Sequence, residues 1–476
     1  MARASFPPVE LSVLTGIPGF DTGFAGRDVL VGGISQDSRD VRPGDLFCCV
    51  RGESFDGHRF AADAVGAGAV AVVADSDIAT DVPVARVANV RDVIGRVAST
   101  LMGNPSSAML MVGVTGTNGK TSTAAMLGSV LAAEGHSVEV FGTLTGIRTT
   151  PEAIELQARL RECADSGVTA VVMEVSSHAM AQQRTVGIVF DLAVFTNFGR
   201  DHLDFHGTEE AYFAAKAGLF TPAHARAGVV NGDDARIASL MPTAGIPMSA
   251  FSRADAADVA MTAASITYRW GNVTVSLPMG GEFSLMNSLA AARAGQVLGC
   301  TDDAVARGLA CMTPVPGRFE PVAGDLDFDV IVDYAHTPDS LESLLGSVRA
   351  VSNGRIILVF GCGGDRDRGK RPLMGAVAAR LADSVIITSD NPRTEDPVAI
   401  IEDVSAGTVG AAADVRTEPD RAVAIASAIS CAERGDIVVI AGKGHETTQE
   451  IAGTLHPFRD ADVARSAMAA RKGTRT

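Results

Sequence analysis

The 476 residues are 46% apolar and 5% aromatic, and they carry a formal charge of −16 at pH 7. That length is too great for one core and predicts roughly two to four domains. The acidic balance excludes an extended nucleic-acid surface and a polybasic membrane contact. An anionic substrate must therefore meet locally concentrated basic residues, as between Arg366 and Arg371.

The N-terminal MARASFPPVE has no apolar segment fit for a signal peptide, and the uncharged stretch Ala64 to Ala74 is too short to cross a bilayer. Cys48, Cys49, Cys163, Cys300, Cys311, Cys362 and Cys431 contain no CxxC pair. Buried, reduced thiols in a soluble cytoplasmic protein are the expectation, with neither zinc nor a disulfide framework.

In chain order, residues 1–106 alternate short strands and helices without a phosphate loop, with a helix predicted at His58 to Val65 and a buried strand at Ala69 to Val73. Asp37-Ser38-Arg39 is either a plain turn or a polar contact point. Gly103-Asn104-Pro105-Ser106-Ser107 reads as a hinge. Next comes an apolar run, Met109 to Val112, then GVTGTNGKTST from Gly113 to Thr123, then good helix formers from Ala124 to Leu131. Strand, glycine-rich turn and helix start form an arrangement that holds phosphate, because close-packed N–H groups and the helix dipole both favour an anion. Lys120 would reach the outer phosphates, and the Thr121 hydroxyl would face Mg²⁺.

Strands predicted at Ala170 to Val175, Leu192 to Thr196 and Gly228 to Asn231 alternate with helices, which implies a mostly parallel sheet covered on both faces. Ile266 to Leu277 breaks that rhythm as an antiparallel pair turning at Gly271-Asn272. Polar clusters follow the predicted strands, where open parallel sheets place their ligands. Glu174-Val-Ser-Ser-His178 offers a carboxylate for a metal or a water, or else a helix cap at Ser176 or Ser177. Arg200-Asp-His-Leu-Asp-Phe-His206 is either a second such site or a capped turn. Lys216 lies in a helix that is apolar on most sides. It either snorkels outward, the commoner case, or is buried for a purpose.

Thr313-Pro-Val-Pro-Gly317 marks a second boundary. Beyond it, strands predicted at Val330 to Val332, Ile356 to Phe360, Val385 to Thr388 and Ile437 to Ala441 build a further α/β domain. Gly361-Cys-Gly-Gly364 lacks the GxGxxG spacing of a dinucleotide loop. Asp390-Asn-Pro-Arg393 would make a tight turn that lifts Arg393 out as a carboxylate fork. Gly442-Lys-Gly-His-Glu446 also follows a strand, and the tail from Lys472 to Thr476 reads as frayed.

Together, GTNGKT at Gly116, EVSSH at Glu174, RDHLDFHG at Arg200, Lys216, PGRFE at Pro316 and DYAHTPDS at Asp333 resemble the Mur ligases over almost the whole chain. These are ATP-dependent, amide-forming enzymes of peptidoglycan precursor synthesis. GGDRDRGKRPLMG, DNPR and GKGHE are similar to the branch that adds meso-2,6-diaminopimelate to UDP-N-acetylmuramoyl-L-alanyl-D-glutamate. Phe198-Gly199 and Ser284 depart from the family's usual Leu-Ser and Asn.

The resemblance implies three α/β domains: 1–106 for the UDP substrate, 107–318 for ATP on a mostly parallel P-loop-type sheet, and 319–476, Rossmann-like, for the amino acid. It assigns ATP to Gly116, Thr117, Asn118, Gly119, Lys120, Thr121, Ser122, Asn287, Arg318 and Asp333. Mg²⁺ falls to Thr121, Glu174, His202 and a Lys216 carbamylated by CO₂; Lys120, Glu174, His202 and Lys216 are the catalytic set. Ser38, Thr149, Thr150, Ser176, Gln182 and Arg184 would hold the UDP-muramoyl-dipeptide. Arg366, Asp390, Asn391, Pro392, Arg393, Gly442 and Glu446 would receive diaminopimelate. The resemblance further implies a monomer without nucleic-acid partners. Alternatives are a lysine-adding homologue, a folylpolyglutamate synthetase-like ligase, and a non-catalytic nucleotide switch.

Overall fold

The computed structural model describes residues 6–21, 28–52, 55–324 and 326–474. Of the N-terminal stretch MARASFPPVE only the second half lies among the described residues, and the last two residues of the tail lie outside them. The rest of that tail is not frayed: the helix Asp460–Thr474 continues through it. By its packing the chain forms two compact units, Met1–Phe251 with Arg293–Cys300, and Ser252–Ala292 with Thr301–Thr476.

In the first unit, a five-stranded sheet runs in the order Phe20–Asp21, Val84–Val87, Ala71–Ala74, Asp45–Cys48 and Gly33–Ser35. All but the first strand are parallel to their neighbours. Helix Val90–Leu101 joins this layer to the next. Its buried Val97 and Ala98 share a core with Ala153 and Ala158 of the helix Ala153–Asp165. Gly95 lets the chain at Val186 come close, since a Cβ there would stand 1.9 Å from the Val186 carbonyl.

The second layer is a six-stranded, wholly parallel sheet. Its order is Met248–Phe251, Gly228–Asn231, Leu192–Phe195, Leu110–Thr115, Ala170–Glu174 and Val138–Phe141. The central strands are buried along their length except at Leu110, which is half-buried, as near-continuous apolar runs in a parallel sheet require. The phosphate-loop strand Leu110–Thr115 lies between Ala170–Glu174 and Leu192–Phe195, so the three polar clusters emerge side by side at one sheet edge.

The second unit has a sheet ordered Glu320–Pro321, Asp329–Asp333, Ile437–Ala441, Ile356–Phe360, Ser384–Ile387 and Asp414–Thr417, parallel except at its first pair. It also holds the antiparallel strands Ala257–Met261, Ile266–Trp270 and Val273–Leu277, the last two being the expected pair, and a hairpin of Thr448–Ile451 with Thr454–Pro457. The fold class is mixed α/β with mostly parallel sheets, as the alternation of elements predicts. Five cysteines are buried and reduced; Cys311 and Cys431 depart from expectation by lying exposed near helix ends. No helix among the described residues is long and apolar enough to cross a membrane.

Candidate active site

The phosphate loop turns at Gly116, where a Cβ would fall 1.9 Å from Thr196 Oγ1, and helix Lys120–Glu134 begins after a left-handed Gly119. Thr196 donates its hydroxyl to the Asn118 carbonyl at 2.6 Å, and Asn197 Oδ1 accepts the Asn118 N–H at 2.8 Å. Thr117 Oγ1 accepts from the Tyr212 hydroxyl at 3.1 Å and from the Gly199 N–H at 3.0 Å. The loop is thus held in shape by the neighbouring strand end and by the helix Glu209–Ala217. Lys120 Nζ donates to the Gly116 and Thr117 carbonyls at 2.8 and 2.9 Å. Thr121 and Ser122 are buried in the first turn.

Lys216 does not snorkel. It is 1% exposed and donates to the Gly116 carbonyl at 2.7 Å, with its ammonium 4.6 Å from the centre of the Tyr212 ring. Burial, reinforced by the Lys120 charge, pushes its pKa well below the ordinary lysine value. Of the two alternatives the sequence leaves for this lysine, the structure selects burial, because its helix face meets the phosphate loop.

Glu174 is also 1% exposed, and its carboxylate accepts the Thr143 N–H at 2.9 Å and the Thr143 hydroxyl at 3.3 Å. Gly142 makes room for it, since a Cβ there would lie 2.1 Å from Glu174 Oε1. His202 stands at the start of helix Leu203–His206 with φ 52°. Its ring is 4.7 Å from that of His178, which in turn is 5.5 Å from His206. Partial burial lowers the pKa of all three imidazoles. No three of His, Cys, Asp and Glu are grouped as a metal cage among the described residues. A Thr hydroxyl and a buried carboxylate at a phosphate loop nevertheless suit Mg²⁺, which takes few protein oxygens, and burial shifts Lys216 toward the neutral amine, the form that adds CO₂.

Thr149, Thr150, Ser176, Gln182 and Arg184 come together beside Glu174. Thr150 Oγ1 donates to the Glu174 carbonyl at 2.9 Å, and Thr149 Oγ1 lies 3.0 Å from Thr143 Oγ1. Arg184 reaches the Thr150 carbonyl at 3.1 Å, Gln182 Oε1 at 2.6 Å and Glu152 at 2.8 Å. Ser176 Oγ also caps helix Ser177–Ala181 by accepting the Ala179 N–H at 3.1 Å. Ser38 stands on a different element, the turn Ser38–Asp40 capped by Asp37, whose carboxylate is clamped by Arg39.

In the second unit, Asn287 is buried in helix Glu282–Val297. The Arg318 guanidinium lies 4.6 Å over the Tyr334 ring, which stands 5.0 Å from the His445 ring. Asp333 accepts from the Phe319 and Ala335 N–H groups at 2.7 and 2.8 Å, while burial raises its pKa. Asp390, Asn391, Pro392, Arg393, Gly442 and Glu446 gather where two adjacent loops meet. A Cβ at Gly442 would stand 2.5 Å from Asp390 Oδ2. Asn391 Nδ2 donates to Glu446 Oε2 at 2.7 Å. Arg393 has φ 55° and pairs its backbone with the hairpin through the Glu450 carbonyl and the Ala452 N–H. Its Nη1 donates to the Gly364 carbonyl at 2.6 Å, so the guanidinium is braced and not merely lifted out of a turn. Arg366 is exposed beside it, with its Cγ and Arg393 Nη1 both near Gly363.

Sequence reasoning missed Thr143, Tyr212, Lys443 and the buried pair Arg421–Asp460. Arg421 meets both Asp460 oxygens at 2.7 Å and also donates to the Ser389 and Ala441 carbonyls, which lead into the two loops. Nothing in the chain signals a pairing across 39 residues. Lys443 was in view within GKGHE, and its full burial is the part a motif cannot show.

This architecture matches a known class. The Mur ligase family's catalytic domain matches residues 30–105, the Mur ligase middle domain 114–295, and the Mur ligase glutamate ligase domain 317–444. The chain belongs to the Mur ligase family and is an ATP-dependent ligase of peptidoglycan precursor synthesis. It is 41% identical to the UDP-N-acetylmuramoyl-L-alanyl-D-glutamate--2,6-diaminopimelate ligase of Geobacillus kaustophilus, over 97% of this chain and 99% of that one. A solved structure of a ligase of the same name superposes with a TM-score of 0.71 at 33% identity, covering 98% of this chain and 100% of the other. The folylpolyglutamate synthase of Mycobacterium tuberculosis, solved with ADP and AMPPCP, shares the fold alone. It covers 79% of this chain and 95% of its own at 20% identity, with a TM-score of 0.62.

Proposed function

We propose that this chain joins meso-2,6-diaminopimelate to UDP-N-acetylmuramoyl-L-alanyl-D-glutamate in the cytoplasm, as a monomer, with ATP converted to ADP and phosphate. The observation that carries this reading is the cluster of Asp390, Asn391, Arg393 and Glu446, set in a chain similar along almost its whole length to diaminopimelate ligases. The three-part organisation 1–106, 107–318 and 319–476 belongs to the same proposal.

Carboxylate and amine do not condense in water, so the D-glutamate side-chain carboxylate first takes the γ-phosphoryl group of ATP. The loop Gly116 to Ser122 would cradle the phosphates, and Lys120 would exchange its carbonyl partners for γ-phosphate oxygens. Asn287, Arg318 and Asp333 would hold the nucleoside side. Thr121, Glu174, His202 and carbamylated Lys216 would hold Mg²⁺, which neutralises phosphate charge when bound. Thr149, Thr150, Ser176, Gln182 and Arg184, with Ser38 at the UDP end, would orient the dipeptide. The diaminopimelate amine then attacks the acyl phosphate, and phosphate leaves. Arg393 and Arg366 would clamp the distal carboxylate, while Asp390 and Glu446 accept from the distal ammonium.

The test is phosphate release with each substrate omitted in turn. Release should require ATP, Mg²⁺, the UDP-dipeptide and meso-diaminopimelate together, and should stop with chelator. Equal hydrolysis of ATP alone would point to a nucleotide switch, and equal use of L-lysine would point to the lysine-adding homologue.

A further inference from the structure

Lys443 is fully buried, and its ammonium uses all three donors. It donates to Asn391 Oδ1 at 2.9 Å, to Glu446 Oε2 at 2.9 Å and to the Thr448 carbonyl at 2.8 Å. Asn391 Nδ2 closes the ring by donating to the same Glu446 oxygen at 2.7 Å, and Asn391 Oδ1 also accepts the Glu450 N–H at 3.0 Å. One side chain therefore ties together the loop after Ser384–Ile387, the loop after Ile437–Ala441 and the base of the hairpin Thr448–Ile451 with Thr454–Pro457. That hairpin also carries the backbone of Arg393.

We propose that Lys443 is a positioning residue that sets the geometry of the amino-acid pocket, acting through Asn391, Glu446 and the hairpin without touching the substrate. With Asn391 Oδ1 given to Lys443 and the Glu450 N–H, its amide cannot flip. With Glu446 Oε2 taken by Lys443 and Asn391, Oε1 is the oxygen offered to a ligand ammonium. The anchored hairpin in turn keeps Arg393 in its left-handed conformation, at the right distance for a carboxylate. Selectivity for an amino acid with a second zwitterionic end therefore depends on a cation that never meets it. This rests on the reading of the pocket as the diaminopimelate site.

The test is Lys443→Met, which keeps the length and apolar stem and removes the ammonium. Michaelis constants for all three substrates, kcat and melting temperature are measured, with L-lysine as competing amine. The expected result is a folded enzyme whose KM for meso-diaminopimelate rises about 10- to 100-fold. Its preference over L-lysine should fall in step, with the KM values for ATP and the UDP-dipeptide within about twofold of wild type. Lys443→Gln, which restores donors without charge, should recover part of the loss. Unchanged diaminopimelate kinetics, or a fall in kcat with every KM intact, would overturn the proposal while leaving the function standing. Failure of both variants to fold would overturn it in favour of a purely structural role. A wild-type enzyme that does not use meso-diaminopimelate would instead remove the functional reading beneath it.

Discussion

The phosphate-loop end of the central sheet and the pocket of the C-terminal unit handle charge in opposite ways. At the loop, the buried Lys216 ammonium faces a backbone carbonyl and makes no salt bridge among the described residues, and the buried Glu174 carboxylate is met by the uncharged donors of Thr143. In the C-terminal unit, Lys443 closes on Glu446, Arg421 on Asp460 and Arg371 on Glu395. Removing an ion from water costs several kcal/mol unless a partner compensates. The first region therefore keeps a cost that bound phosphate, metal or a carbamate would offset, whereas these pairs of the second are neutralised within the protein, with Asp390, whose pKa burial raises, as the exception. One site is built to be completed by its ligands; the other is built before they arrive.

The largest effect should come from Lys216, where this contrast is sharpest. Lys216→Ala should lower kcat by about 100- to 1,000-fold or more, with partial recovery in millimolar-range acetate or another small carboxylic acid standing in for the carbamate. Lys216→Met should melt higher than wild type at neutral pH, because it removes a buried ammonium. The wild-type penalty is complete below the depressed folded pKa and relaxes as pH rises toward the ordinary lysine value. The gain in melting temperature should accordingly shrink in alkali. A less stable Lys216→Met at neutral pH would break the comparison.

Arg393 tests the preformed side. Arg393→Ala should raise KM for diaminopimelate by about 30-fold to several thousand-fold, which is about 2–5 kcal/mol for a lost charge-assisted pair, and should leave ATP and UDP-dipeptide constants nearly unchanged. Arg393→Lys should recover only part, since a point charge does not reproduce a planar fork. Diaminopimelate kinetics that ignore Arg393→Ala would mean that this pocket serves another ligand.

Smaller effects sharpen the picture. Thr143→Val deletes the longer, 3.3 Å hydroxyl bond to Glu174, with the hydroxyl's contact to Thr149, and keeps the backbone one, so kcat should fall about 5- to 10-fold, in line with about 1 kcal/mol. A much larger loss would show that Glu174 depends on Thr143 for more than orientation. His445→Asn concerns stability alone. Burial, aided by Arg318, lowers the wild-type pKa to about 4, and Nδ1 is buried without a hydrogen-bond partner. The unfolded chain then binds a proton that the folded ring refuses between about pH 6.5 and 4, so wild-type stability falls as pH drops through that window. Urea midpoints of His445→Asn should show a shallower fall there, and parallel curves would contradict the assigned cause.

Much of this was legible in the chain. Apolar runs ending in Gly116, Glu174 and Asp390 marked buried parallel strands and the edges where ligands gather, because short-range pattern and strand-end chemistry are local properties. The strands Gly228–Asn231, Ile356–Phe360 and Ile437–Ala441 lie where the pattern put them. Local composition likewise determined the phosphate loop, the hairpin turn at Gly271 and the DNPR turn. What tertiary structure alone decided is which side chains lose their water. For Lys216 the chain alone favours snorkelling over burial, and only the packing of its helix face against the Gly116 carbonyl decides for burial; Lys443 is one letter of a motif until three loops close around it. Burial and pairing across 39 or 52 residues depend on how elements pack, and the free energy of a charge depends on that packing far more than on its neighbours in sequence.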